Sequence, residues 1–136
     1  MKYQASISIN ATASTVWSIL IDSSRYPDWE PNITKVDGEI ALNQQITVHT
    51  KLSDRAFPVT VAQLTEAQKM QWVGGLPLGL FKGVRTFSLR PQDTQTVFEM
   101  NEVFSGPLLF LMRRMMPDLQ PSFDAFAQAL KAKAEA

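Results

Sequence analysis

The chain has 136 residues, 45% of them apolar and 19% charged, which suits one full hydrophobic core and excludes a disordered, charge-rich chain. Thirteen Lys and Arg balance thirteen Asp and Glu. The long-range attraction that draws basic proteins to nucleic acid or anionic membranes is therefore absent, and no nucleic-acid partner is expected.

A local basic patch could still be drawn from Lys82, Arg85, Arg90, Arg113 and Arg114, all in the second half. With no cysteine and a single histidine, His49, the chain can build neither a zinc cluster nor a Ser-His-Asp or Cys-His arrangement. No metal is expected. No GxGxxG or Walker-type loop is present, because the glycines between Gly74 and Gly83 lack the Lys and Ser/Thr of a phosphate cradle. No cofactor is expected either.

Tyr3, Ala5, Ile7 and Ile9 alternate with polar residues, the period-two mark of a half-buried first strand. That alternation does not read as a signal peptide, and no segment approaches the roughly 18 apolar residues of a membrane span. The expected setting is cytoplasmic and soluble, without an integral membrane segment. Asn10 to Ser14 offers N-cap candidates, and Val16, Trp17, Ile19 and Leu20 follow at helical spacing. Tyr26-Pro-Asp-Trp-Glu-Pro31 cannot continue a regular helix, since each proline lacks an N–H and restricts its predecessor; one turn of helix is expected between Ser24 and Trp29.

From Ile33 the pattern is strand, turn, strand. Asp37-Gly38 marks a turn, Ile46, Val48, Thr50 and Leu52 alternate, and Ser53 to Arg55 forms the next turn. Val59 and Val61 anchor a strand that ends at Glu66 to Gln68, and Met70 and Trp72 begin another. An apolar, glycine-rich loop from Gly74 to Leu80 follows. The last hairpin runs from Phe81 to Arg90 and from Gln95 to Phe104, across a turn at Pro91-Gln92-Asp93. Beyond it, Leu108, Met112, Met115, Leu119, Phe123, Phe126 and Leu130 recur at spacings of three and four, a long helix that Pro117 and Pro121 interrupt and that Pro117 kinks or breaks after Met116.

The predicted class is α+β. A curved seven-stranded antiparallel sheet wraps around the C-terminal helix, with two short helices after the first strand, in a single domain spanning residues 1–136. This order resembles the START-like superfamily, also described as the SRPBCC or birch-pollen-allergen-like group, which includes polyketide cyclase/dehydrase and lipid-transport proteins. The resemblance is carried by Ala13 to Trp17, Tyr26 to Pro31, Gln71-Trp72, Gly83 to Pro91 and Glu102 to Pro107. It implies the helix-grip fold and a cavity for a small hydrophobic ligand between sheet and helix; it does not imply a reaction.

If the last hairpin turns on Pro91 to Asp93, Phe87 lies opposite Phe98 and Arg85 opposite Met100. One face then carries Arg85, Phe87, Leu89, Phe98, Met100, Glu102 and Phe104, and should look inward. Thr86, Ser88, Val97, Glu99 and Asn101 should look outward. Arg85 and Glu102 sit diagonally and should form an ion pair, since an unpaired buried charge is costly. That pair is either a polar anchor for a ligand's carboxylate, phenolate or carbonyl, or a purely structural bridge.

The residues expected at a ligand are Trp72, Arg85, Phe87, Phe98, Met100, Glu102, Phe104, Met112 and Met115, and each hydrophobic one of these fits plain core as well. Tyr26 and Trp29 either cover the mouth or plug the gap beside the short helices. His49 should be exposed, and Trp17 should be core. The leading functional expectation is binding or sequestration of a lipid, quinone or polyketide-like molecule. One alternative is a cyclase or dehydratase with Glu102 as acid/base, for which catalytic side chains are scarce. The other is a protein-interaction module, with a homodimer through loop 74–81 as one form of it.

Overall fold

The computed structural model describes residues 1–136. Seven strands follow the alternating segments: β1 (Lys2–Ile9), β2 (Ile33–Asp37), β3 (Gln45–Thr50), β4 (Phe57–Thr65), β5 (Lys69–Gly75), β6 (Lys82–Gln92) and β7 (Gln95–Ser105). Four helices complete the chain: α1 (Ala13–Leu20), α2 (Tyr26–Trp29), α3 (Leu109–Met115) and α4 (Gln120–Glu135). Every pairing is antiparallel, and the sheet order is β1-β7-β6-β5-β4-β3-β2. The first two strands therefore lie at opposite edges. The chain crosses between those edges through α1, a 3-10 turn at Ser23–Arg25, and α2.

Thr12 caps α1, its side chain accepting from the Thr15 amide at 3.2 Å. Val16, Trp17 and Leu20 give that helix its buried face. In α2 the Tyr26 hydroxyl donates to the Leu20 carbonyl at 2.5 Å, tying the two short helices together. Tyr26 is fully buried against Trp29, Trp72 and Phe126. The aromatic pair of the Pro-rich segment is therefore a plug and not a lid.

Helix α4 packs on β1, β7, α1 and α2. Its polar side chains also cover the free edge of β1, which would otherwise offer unpaired backbone groups to another chain. Gln120 Nε2 donates to the Gln4 carbonyl, Lys131 Nζ donates to the Ser8 carbonyl, and Glu135 accepts from the Asn10 amide. Phe123, Phe126, Ala127 and Leu130 face the sheet and join a continuous core of 21 buried residues.

Three expectations need correction. The last hairpin turns on Asp93-Thr94, because Gln92 pairs with Gln95 and Pro91 with Thr96. Asp93 takes the left-handed turn position at φ 55, which Asp tolerates better than most residues. The register is thus two residues from the expected one, with Phe87 opposite Met100 and Arg85 opposite Glu102. A shift of two preserves the faces, so the inward set is unchanged. On the outer face Thr86 is nevertheless buried, and Gln71 Nε2 donates to its hydroxyl at 3.2 Å.

The C-terminal helix does break after Met116, but its first half leaves the sheet. No residue of α3 is buried, and Met115, expected to face the sheet, is 74% exposed. Met112 is half-buried. Leu52, assigned to the third strand by alternation, lies beyond its end and is exposed.

Candidate functional site

One cross-strand row organises the concave face. Val61 pairs with Trp72, Trp72 with Arg85, Arg85 with Glu102, and Glu102 with Tyr3, so five strands contribute neighbouring side chains. Deeper along the same strands, Met70 pairs with Phe87, Phe87 with Met100, and Met100 with Ala5; all four are buried. Phe126 of α4 sits over that second row, with its ring 5.9 Å from Phe87, 6.0 Å from Phe98 and 5.2 Å from Trp29.

Within this apolar surface the charged pair is direct. Arg85 Nε donates to Glu102 Oε1 at 2.6 Å, a short charge-assisted bond. The Arg85 guanidinium also lies over the Phe123 ring, 4.8 Å from its centroid, where the π face favours a cation. The two side chains keep 25% and 15% of their surface exposed. The pair is therefore recessed yet within reach of solvent.

On the other side of it stand Phe81 and Phe104, stacked at 5.6 Å and both buried, but outside the main core. Gly83, opposite Phe104, makes room for this. A Cβ there would lie 3.0 Å from the Phe104 ring and 3.1 Å from Glu102 Oε2. Arg85 and Glu102 thus occupy a seam between the core and an aromatic pair at the mouth of the sheet.

Two further polar features border the seam. The indole N–H groups of Trp72 and Trp29 are buried without an acceptor, an arrangement that costs about 1–3 kcal/mol for each. Glu30, absent from the residues predicted for the site, is only 3% exposed, and its Oε2 accepts from the amides of Ile33 at 2.8 Å and Asn32 at 3.1 Å. Burial pushes its carboxyl above the usual value. The two amides pull it back, as do the positive charges of Arg85 and Lys51. Burial also holds the Tyr26 phenol far above the ordinary tyrosine value, with Arg85 opposing. Both groups therefore lie within the field of the same guanidinium. The capping part of the signal for Glu30 was local: Pro27 and Pro31 hold the segment to a single helical turn, and the carboxylate between them reaches the next free amides, those of Asn32 and Ile33.

Of the predicted ligand residues, Trp72, Arg85, Phe87, Phe98, Met100 and Glu102 converge on the concave face, and Phe104 stands at its mouth. Met112 and Met115 are on α3, which presents no buried residue to that face. The space between sheet and α4 is occupied by touching aromatic rings. Of two open depressions, of about 660 and 450 Å³, neither is lined by a predicted ligand residue, although Phe81 borders the smaller. His49 is half-exposed on β3, paired with Asp37 at 2.9 Å and remote from the row. No group of three or more His, Cys, Asp or Glu could hold a metal ion.

The family model described as polyketide cyclase / dehydrase and lipid transport matches residues 1–135. No curated protein matches the chain at a significant level. Among solved structures, the chain is similar to protein MLL2253 from Mesorhizobium loti, with a TM-score of 0.77 at 16% identity over 97% of this chain and 95% of that one. It is similar to a START superfamily protein from Mycobacterium smegmatis, with a TM-score of 0.72 at 18% identity over 98% and 97%. The subunit of the Aha1 dimer from Colwellia psychrerythraea gives 0.77 at 14% identity over 99% and 96%. At such identities the likeness is one of fold, and the fold is the START-like helix grip.

Proposed function

Since the chain belongs to the polyketide cyclase/dehydrase and lipid-transport family, we propose that it binds a small hydrophobic molecule bearing an oxygen acceptor, seated in the seam beside Arg85 and Glu102. The observation that carries this reading is the charged pair turned inward among aromatic rings yet 25% and 15% exposed. A pair serving the core alone gains little over apolar side chains of the same size, whereas a guanidinium at a recessed, partly open position suits an incoming carboxylate, phenolate or carbonyl. The buried indole N–H of Trp72, directly across the strand from Arg85, supplies a second donor without an acceptor.

The apolar body of the ligand lies against Phe81, Phe104 and Phe123. Entry requires those rings to swing aside, since the interior is filled. Affinity then comes from apolar burial at about 25 cal/mol per Å², with Arg85 setting orientation. A cyclase or dehydratase reading has less support. Arg85 is the hydrogen-bond partner of Glu102, and His49, a usual proton carrier, is on another part of the sheet.

The test is a titration of delipidated protein with a fatty acid, its methyl ester, a quinone and a polyphenol, read by tryptophan fluorescence and melting temperature. Acceptor-bearing ligands should stabilise the protein by about 2.7 kcal/mol at a hundredfold excess over Kd. Arg85→Met should erase the preference for acid over ester while retaining apolar binding. No response to any of the four in either readout would overturn the proposal.

A further inference from the structure

The apolar loop and the detached helix meet at one edge of the molecule. The Leu108 amide donates to the Leu80 carbonyl at 2.9 Å, and Gly106, at φ +111, lets the chain pass against the carbonyls of Gly79 and Leu80. A Cβ on Gly106 would lie 2.6 Å from the Leu80 oxygen. Around this junction six large apolar side chains face solvent: Leu76, Leu78, Leu80, Phe110, Leu111 and Met115, with Leu78 96% exposed. Leu78 also adopts a left-handed backbone at φ 61, which disfavours a leucine. Two costs are therefore accepted at one residue, and both serve to present an apolar side chain outward. A seven-residue helix with nothing buried is likewise marginal without a surface to lie on.

The charges beside these side chains are mostly of one sign, with the exposed Asp118, three residues beyond Met115, as the nearest carboxylate in sequence. Residues 76–82 and 106–117 contain Lys82, Arg113 and Arg114 and no carboxylate, although the whole chain is neutral. All three cations are exposed. Apolar side chains fringed by Arg and Lys match an anionic bilayer surface, where the former enter the acyl boundary and the latter meet phosphates. A second copy of the chain fits less well, because a two-fold contact would set three cations of each copy against one another, with Asp118 alone beside the segment to offset them. No helix is long and apolar enough to cross a membrane, so the contact is with its surface.

We propose that loop 76–80 and α3 together form a docking surface for an anionic lipid bilayer. The experiment is flotation of the full chain with vesicles of phosphatidylcholine alone and of phosphatidylcholine containing phosphatidylglycerol. Binding is expected with the anionic vesicles and should weaken as salt rises. Arg113→Gln with Arg114→Gln should reduce it roughly thirtyfold. Leu78→Asp with Phe110→Asp should abolish it. These side chains are exposed, so all variants should melt with the parent, and circular dichroism checks this. Equal binding to both vesicles, absence of binding to either, or variants that bind as the parent does would overturn the proposal. So would a dimer in light scattering that Leu78→Asp dissociates, which would assign the surface to self-association.

Discussion

Arg85 and Glu102 are direct cross-strand neighbours, joined Nε to Oε1 at 2.6 Å, and they separate a core of 21 residues from the Phe81–Phe104 pair at the mouth. The contact closes the row from Val61 to Tyr3. Its value lies in each charge answering the other, since either one alone would stand in an apolar seam.

Removing one partner should therefore hurt more than removing both. Arg85→Met or Glu102→Met is expected to cost about 2 kcal/mol, discounted for the partial exposure of the pair. The double variant should recover most of that loss. A double-mutant cycle by urea denaturation checks it, and additive losses would show that the pair has no mutual stabilisation.

Phe126 is the ring on which Tyr26, Trp29, Phe87 and Phe98 converge. Phe126→Ala should destabilise by about 3–5 kcal/mol, because close-packed rings cannot collapse into the space. Phe110→Ala, on the exposed α3, should change stability by less than about 0.5 kcal/mol. Chemical denaturation of the two variants measures the contrast.

Gly75 closes β5 with φ +136, and a Cβ there would stand 2.1 Å from the Phe81 carbonyl oxygen. Backbone cannot yield as a flexible side chain would. Gly75→Ala is expected to lower stability by about 3 kcal/mol, whereas Gly79→Ala, with nothing near its Cβ, should be milder and limited to the strain of φ +68. Similar melting temperatures for the two would contradict this.

Glu30 sets a pH dependence. Burial raises its carboxyl above the ordinary 4.5. Between those two values the folded chain holds a proton that the unfolded chain has released, so stability falls as pH rises through the window and levels off above it. Glu30→Gln carries no such proton and should gain on the parent as pH rises across the window. Thermal melts of both at several pH values test the sign. A difference that is flat with pH, or that moves the other way, would remove the carboxyl from the account.

Element order, inward faces and the break at Pro117 were legible in the residues because each depends on local chemistry. Alternation has period two, so Arg85, Phe87, Met100 and Glu102 point inward under any register shifted by an even number. Proline ends a helix when it falls in the interior, as Pro117 does. Pro121, expected to interrupt the helix, instead stands in the first turn of α4, where its missing N–H costs nothing. The register itself was not legible, because it depends on whether Pro91 and Gln92 belong to the turn or the ladder, and Asp93 at φ 55 decided that in the folded chain. Periodicity placed Met112 and Met115 on the stripe of a helix, yet it carries no information on what that stripe meets. Only the packed structure shows that α4, with Phe123 and Phe126, takes the concave face and leaves α3 outside. Glu30 was half legible. A carboxylate near the amides that follow it is local, but its burial accompanies the packing of the Tyr26 turn against Trp72 and Phe126, residues distant in sequence.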